Sequence, residues 1–143
     1  GCIYGIPAHS SNLLCLEPNN NDNNINYSVK MFPLPPEFHG IHFKWLRGII
    51  HEQYLYGIPA WANAGVLRVD LKIWKELREN GDNNMYDAED TNSVICILPL
   101  PDSSKDNDDI KKSSSKQQKR WQWHGASLNA NKTAIYAIPS NAE

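Results

Sequence analysis

Cysteine is scarce in this chain, and the three cysteines present form no recognisable motif. Cys2, Cys15 and Cys96 include no C-x-x-C pair and leave one residue over in any pairing. This argues against a disulfide framework and against a structural zinc site. Cys15 and Cys96 each lie in an apolar run, where a small buried hydrophobic side chain is the expected role.

Long hydrophobic runs and an excess of one charge are also missing. No stretch approaches the roughly 18 consecutive apolar residues that a membrane-spanning helix needs. The 143 residues carry 14 basic and 16 acidic side chains, for a formal net charge of -2. That balance leaves no global field to attract nucleic acid or an anionic membrane. We therefore expect neither nucleic acid nor a membrane as a partner.

Sequence signatures of catalysis are absent as well. The chain has no H-E-x-x-H, no G-x-S-x-G and no Walker-type glycine loop, so no catalytic, cofactor-binding or metal-binding residue and no cofactor is predicted. His39 and His42 are three positions apart, with His9 and His51 elsewhere. The prolines and the glycine around them predict a loop rather than a helix that would direct both rings at one metal. An enzyme would need a site assembled from scattered loop residues.

One strand-like segment is present three times. Tyr-Gly-Ile-Pro begins at Tyr4 and again at Tyr56, and Tyr-Ala-Ile-Pro begins at Tyr136. The first two tyrosines are 52 positions apart, close to the roughly 40 to 50 residues of propeller repeats. The third copy follows after another 80 positions, so the second interval must contain extra residues.

Three other segments recur around this one in a fixed order. They are a tryptophan segment before it (44–50 and 122–128), an apolar run after it (12–16 and 65–70), and a Phe/Leu-Pro-Leu-Pro segment after that (32–35 and 98–101). Short runs rich in β-branched and aromatic residues, bounded by Gly, Pro and Asn, favour strands. Four strands in each unit match one propeller blade. The sequence thus predicts an all-β, β-propeller-like fold of about two to two and a half four-stranded antiparallel blades.

Polar insertions and one short helix interrupt the strands. Residues 78–92 and 102–119 are rich in Asn, Asp, Ser and Lys, a composition that predicts flexible or disordered loops. Residues 19–24 suggest a smaller insertion of the same kind. A helix is predicted over about residues 71–79, because Leu71, Trp74 and Leu77 are three positions apart, with Asp70 as N-cap and Gly81 as the stop.

At these residues the chain resembles a family of repeat proteins whose unit runs, in one-letter form, KWHGG, IYGIP and VLxID. The resemblance covers most of the chain outside 78–92 and 102–119. It implies blades that assemble as in a propeller, and it implies no catalytic residue. Two departures are visible, because Leu46-Arg47-Gly48 lacks the His-Gly pattern of Trp123-His124-Gly125, and Ala137 replaces the glycine of the other copies.

A propeller usually needs at least about four blades, so we expect residues 1–143 to form one incomplete domain of a longer protein. Our leading hypothesis is a non-enzymatic interaction scaffold whose loops bind a protein or a glycan. The alternative is a glycan binder or an enzyme with a site at converging loops, for which Trp61, Trp45 and His124 are the candidate ligand-binding residues. A decayed fragment without a function of its own is a third interpretation.

Overall fold

Nine β-strands and two short α-helices make up the computed structural model, which describes residues 1–21, 24–60, 64–80, 86–100 and 123–140. The strands are β1 (Ile3–Gly5), β2 (Asn12–Asn21), β3 (Asn24–Pro33), β4 (Trp45–His51), β5 (Tyr54–Pro59), β6 (Val66–Asp70), β7 (Ile95–Leu98), β8 (Trp123–Leu128) and β9 (Ile135–Pro139). The helices are α1 (Leu71–Asn80) and α2 (Ala88–Val94), with a 3-10 turn at Pro36–Phe38. The prediction of a mostly β structure is confirmed.

The strands form three antiparallel sheets in which neighbours in sequence are neighbours in space. The first sheet has the order β1-β2-β3, the second β4-β5-β6-β7, and the third β8-β9. In the described part of the chain no strand ladder joins one sheet to another. The two helices lie between β6 and β7 in the chain, and neither is long and apolar enough to cross a membrane.

The two tryptophan hairpins have the same register. Trp45 lies opposite Pro59 in the β4–β5 hairpin, and Trp123 lies opposite Pro139 in the β8–β9 hairpin. Each ladder then shifts at an irregularity directly after the tryptophan before regular pairing resumes. Such a bulge inserts one extra residue and increases the local twist. Residues that recur in the sequence therefore occupy matching positions in the two hairpins.

The core lies between the first sheet, the second sheet and α1. The first sheet contributes Leu13 and Phe32, the second contributes Leu67 and Val69, and α1 contributes Trp74, all fully buried. The rings of Phe32 and Trp74 meet with centroids 5.5 Å apart. Burying a large apolar side chain contributes about 1.5–3 kcal/mol relative to exposing it, so this layer holds the two sheets and the helix together.

The helix predicted over about residues 71–79 is confirmed over its whole length. α1 spans Leu71–Asn80, and Asp70 caps it, because its Oδ1 accepts hydrogen bonds from the backbone N–H of Lys72 (3.0 Å) and Ile73 (3.1 Å). A side-chain oxygen at this position satisfies N–H groups that have no partner inside the helix. The predicted stop at Gly81 lies outside the described residues.

The structure differs from the flexible loop predicted at 78–92. α1 continues to Asn80, and α2 occupies Ala88–Val94. A capping box begins α2, in which Asp87 accepts from the backbone of Asp90 and Asp90 accepts from the backbone of Asp87. The reciprocal bonds satisfy two otherwise unpaired donors, so Ala88–Val94 is helical in spite of its polar composition. Residues 81–85, together with the second predicted loop at 102–119, lie outside the described part.

The Asn-rich insertion predicted at 19–24 is also different in the structure. β2 extends to Asn21, and β3 begins at Asn24. The antiparallel register continues through these positions, with Asn19 opposite Asn26. Ladder hydrogen bonds come from the backbone, so a polar composition does not prevent the two strands from continuing.

Lys44 connects the first two sheets. Its side chain is only 1% exposed, and its Nζ donates hydrogen bonds to the carbonyl oxygens of Ser10 (3.1 Å) and Ile41 (2.8 Å). Its backbone N–H donates to Ala8 O, and its own carbonyl accepts from Ala60 N–H. Burial lowers the pKa of Lys44 from its usual 10.5, because the charged ammonium loses solvation.

This lowered pKa predicts a specific pH dependence of stability. Between the folded-state pKa of Lys44 and 10.5, the folded chain binds fewer protons than the unfolded chain, so the contribution of Lys44 to the free energy of unfolding increases with pH. We expect the stability of wild type minus that of Lys44→Met to increase as the pH rises from neutral towards 10.5. Urea unfolding at a series of pH values measures this difference. The matched control is Lys72→Met, at an exposed lysine, and a difference that is flat for both variants would contradict the prediction.

Candidate functional site

The three predicted ligand-binding residues do not form one accessible surface in the described structure. Trp45 is fully buried in the second sheet. Its Nε1 donates a hydrogen bond to Gly65 O at 2.9 Å, and its ring contacts Phe38 with centroids 5.4 Å apart. His124 is exposed on β8 in the third sheet, and Trp61 lies outside the described residues. Trp45 is thus part of the core and presents no surface to a ligand.

Because of its hydrogen bond, we expect Trp45 to contribute more to stability than the matching Trp123. Trp45→Phe leaves the carbonyl of Gly65 without its indole donor, and an unsatisfied buried polar group costs about 1–3 kcal/mol. Trp123→Phe is the matched control, because the buried Nε1 of Trp123 has no hydrogen-bond partner among the described residues. We expect chemical denaturation to show a larger loss of stability for Trp45→Phe. Equal losses for the two variants would contradict a role for the Gly65 bond.

The histidines that follow the 3-10 turn lie in a loop, as the prolines and the glycine around them predict. His39 lies with its Nε2 2.9 Å from the carbonyl oxygen of Leu34. His42 contacts His9 instead, with ring centroids 5.1 Å apart. All three imidazoles are exposed. The geometry therefore shows a surface pair of rings, His9 and His42, and a third ring bonded to the backbone.

A partly buried cluster under α1 brings together two cysteines and a carboxylate. The Sγ atoms of Cys2 and Cys15 and a carboxylate oxygen of Glu17 all lie within 4.8 Å of one another. The pairing of β1 with β2 causes this, because Tyr4 lies opposite Cys15 and residues two positions apart share a face of a strand. Cys2, Tyr4, Cys15 and Glu17 consequently all face the inside of the first sheet. Among the described residues, Cys2, Cys15 and Glu17 form a group whose ligand atoms lie close enough together to hold one metal ion.

An arginine from α1 completes the cluster. Arg78 Nη2 donates to Glu17 Oε1 at 2.9 Å, and the Arg78 side chain is only 3% exposed. Its Cζ lies 4.9 Å from the ring centroid of Trp74. Neither Nε nor Nη1 of Arg78 has a hydrogen-bond partner among the described residues. The cluster thus contains a buried cation with one strong partner and unused donors.

Burial raises the pKa values of the Cys15 thiol and the Tyr4 hydroxyl in this cluster. Loss of solvation raises the pKa of Cys15 to about 11 and the pKa of Tyr4 to about 12, because both groups are harder to ionise away from water. A thiol with a raised pKa is a poor nucleophile, so Cys15 does not have the properties of a catalytic cysteine.

The sequence interpretation missed this cluster because Cys2 and Cys15 form no local motif. Cys15 was expected to be a buried small side chain, and it is fully buried, whereas Cys96 is half-buried. The signal that could have identified the cluster is the alternation of Cys2 with Tyr4 and of Cys15 with Glu17 on two adjacent strands. That alternation becomes informative once the register of β1 and β2 is known.

The outer face of the first sheet is apolar and uncovered. Its side chains alternate with the buried ones along β1, β2 and β3, and it comprises Ile3, Leu14, Leu16, Tyr27, Val29 and Met31. Four of these six, Ile3, Tyr27, Val29 and Met31, are exposed large hydrophobic side chains. A contiguous exposed apolar face of this kind is a candidate interaction surface.

Comparison of the chain with protein-family models, with curated proteins and with solved structures found no match. The function has to be inferred from the arrangement of the chain's own residues. Two features stand out in that arrangement, namely the outer face of the first sheet and the buried cluster on its inner face.

Proposed function

We propose that the chain is part of a non-enzymatic interaction scaffold of propeller-like blades within a longer protein. The observation that carries this proposal is that the second sheet shares one strand pairing with the first sheet and another, the tryptophan hairpin, with the third. Gly5 lies opposite Leu14 in the first sheet, as Gly57 lies opposite Leu67 in the second. The second sheet would be a complete blade, the first would lack its tryptophan strand, and the third would lack its last two strands.

Positions that are buried in the second sheet are exposed at the matching places in the first sheet. The common register pairs Ile3 with Leu55, and Val29 with Ile95. Leu55 is 3% exposed and Ile95 is 6% exposed, whereas Ile3 is 57% and Val29 is 58% exposed. Leu55 and Ile95 belong to the core that includes residues of the first sheet. This difference supports the proposal that a further sheet of the same kind covers the outer face of the first sheet.

Close contacts between successive sheets support the same arrangement. A Cβ added at Gly48 on β4 would lie 2.6 Å from Cδ1 of Ile6, which follows β1. A Cβ added at Gly125 on β8 would lie 3.0 Å from Cδ of Arg47 on β4. At each of these contacts a glycine of the tryptophan strand admits a side chain from the preceding unit, although the hairpin register matches Gly48 to Ala126 rather than to Gly125. Repeated packing of one sheet on the next is the arrangement of propeller blades.

The binding role would belong to the segments that differ between the units. Those segments include the helices between β6 and β7, where the two corresponding strands of the first sheet are joined by a hairpin. A protein is the partner class that suits such variable connections on a repeated frame. The glycan-binding or enzymatic alternative has weaker support, because Trp45, one of its three candidate residues, is buried.

The outer face predicts self-association of the isolated chain, with a second copy in the place of the missing sheet. We expect sedimentation velocity to show a concentration-dependent dimer for wild type. Val29→Lys with Met31→Lys should weaken it at least about tenfold, because burying an unpaired charge in an apolar interface is strongly unfavourable. Ile41→Lys is the matched control, since Ile41 is an exposed hydrophobic residue outside that face, and it should associate like wild type.

Two results would count against the proposal. One is a wild-type chain that stays monomeric at high concentration while its thermal unfolding is cooperative, because the outer face would then need no cover. The other is specific glycan binding that Trp61→Ala abolishes with the fold intact by circular dichroism, which would favour the glycan binder.

A further inference from the structure

We propose that Cys2, Cys15 and Glu17 form a binding site for one divalent cation of the zinc class, between the inner face of the first sheet and α1. Nothing in the sequence pattern assigns a metal to these residues. The site is independent of whether the sheets are blades of a propeller, because β1, β2 and α1 alone form it.

The spacing of the donor atoms fits this type of cation. Zn–S bonds of about 2.3 Å and Zn–O bonds of about 2.0–2.2 Å in a tetrahedral site separate a sulfur from an oxygen ligand by about 3.6 Å and two sulfurs by about 3.8 Å. Cys2 Sγ lies 3.9 Å from Glu17 Oε1, and all three ligand atoms lie within 4.8 Å of one another. Small side-chain rotations therefore suffice to bring all three onto one ion.

The chemistry of the donors selects the class of metal. Two sulfurs and one carboxylate oxygen suit zinc or a similar thiophilic ion, whereas magnesium and calcium prefer ligand sets made only of oxygen. Three protein ligands leave a fourth tetrahedral position for water. As the two S–metal bonds form, each thiol gives its proton to solvent, so binding of one cation releases two protons.

Arg78 supplies independent support for an additional bound group. With two thiolates, the Glu17 carboxylate, a divalent cation and the Arg78 guanidinium, the formal charge of the loaded site is zero. Arg78 is almost completely buried, yet its Nε and Nη1 have no partner among the described residues. Buried donors are normally satisfied. Anionic thiolate ligands beside Arg78 would give these donors acceptors and would stabilise the loaded site, as outer-shell partners do in metalloproteins.

A disulfide between Cys2 and Cys15 fits the geometry less well. Continuing the β1–β2 register places Cys2 opposite Glu17 rather than opposite Cys15. Diagonal neighbours on paired strands lie about 7–8 Å apart, whereas cysteines whose Cα atoms are more than about 7 Å apart need backbone movement before they can be bridged. Two cysteines that bind one metal ion can have Cα atoms farther apart than two cysteines in a disulfide. The β1–β2 register therefore favours a metal site over a disulfide.

The experiment is a Co²⁺ titration of the full chain, kept reduced with a phosphine. We expect one Co²⁺ per chain, a thiolate-to-cobalt charge-transfer band in the near ultraviolet, and displacement of the cobalt by Zn²⁺. Cys2→Ser should bind at least about tenfold more weakly and lose band intensity, because a thiolate ligand is missing. Cys96→Ser is the matched control, since Cys96 is half-buried and outside the cluster, and it should bind like wild type.

Three results would overturn the proposal. The first is the absence of a charge-transfer band in a wild-type chain that is folded by circular dichroism. The second is an unchanged affinity in Cys2→Ser, and the third is a Cys2–Cys15 disulfide found by mass spectrometry without added oxidant. If Cys2→Ser does not fold, Glu17→Gln tests the same site and should also bind more weakly. These results are separable from those of the self-association test, because the cobalt band and its stoichiometry report the ligands of the ion, whereas sedimentation reports the mass of the assembly.

Discussion

The register of β5 between β4 and β6 is the constraint on which the rest of the structure depends. Side chains alternate along a strand, so a slip of one residue would turn every inward side chain outward. The observed pairing directs Leu55 and Gly57 towards the first sheet. A Cβ added at Gly57 would lie only 3.2 Å from Cγ of Trp45. Since Gly57 has no side chain to fill that space, the indole of Trp45 packs there, and its Nε1 donates to Gly65 O.

The sequence was informative where a local pattern determines the structure. The recurring tryptophan, Tyr-Gly-Ile-Pro and apolar segments lie on strands, and the spacing of Leu71, Trp74 and Leu77 after Asp70 predicted α1. The prediction of a fourth strand at the Phe/Leu-Pro-Leu-Pro segments was wrong, because β3 ends at Pro33 and β7 ends at Leu98, and proline cannot donate to a strand ladder. α2 was not predictable in the same way, because Ala88–Val94 has little apolar periodicity and begins at a capping box that composition does not reveal. The Asn-rich ends of β2 and β3 were missed for a related reason. Their ladder uses backbone groups, which are present whatever the side chains are.

The candidate site was harder to predict than the fold, because its members come together through tertiary contacts. Cys2 and Cys15 come to lie on one face of the first sheet only through the β1–β2 register, and Arg78 reaches Glu17 from a helix 61 positions later in the chain. Trp45 was ambiguous for another reason. An aromatic side chain next to a strand bulge suits both a core and a binding site, and only the burial found in the structure decides for the core.

The two faces of the first sheet are physically linked through β1. This strand has three residues and pairs with β2 alone in the described structure. A short edge strand is among the elements that open most easily. It nevertheless carries Ile3 of the outer face and adjoins Cys2 of the inner cluster. A cation that joined Cys2 to Cys15 and Glu17 would hold β1 against β2, and would thereby keep Ile3 in place for packing by a neighbouring sheet. Metal binding on one face would then strengthen association on the other, as linkage requires when both depend on the same ordered strand.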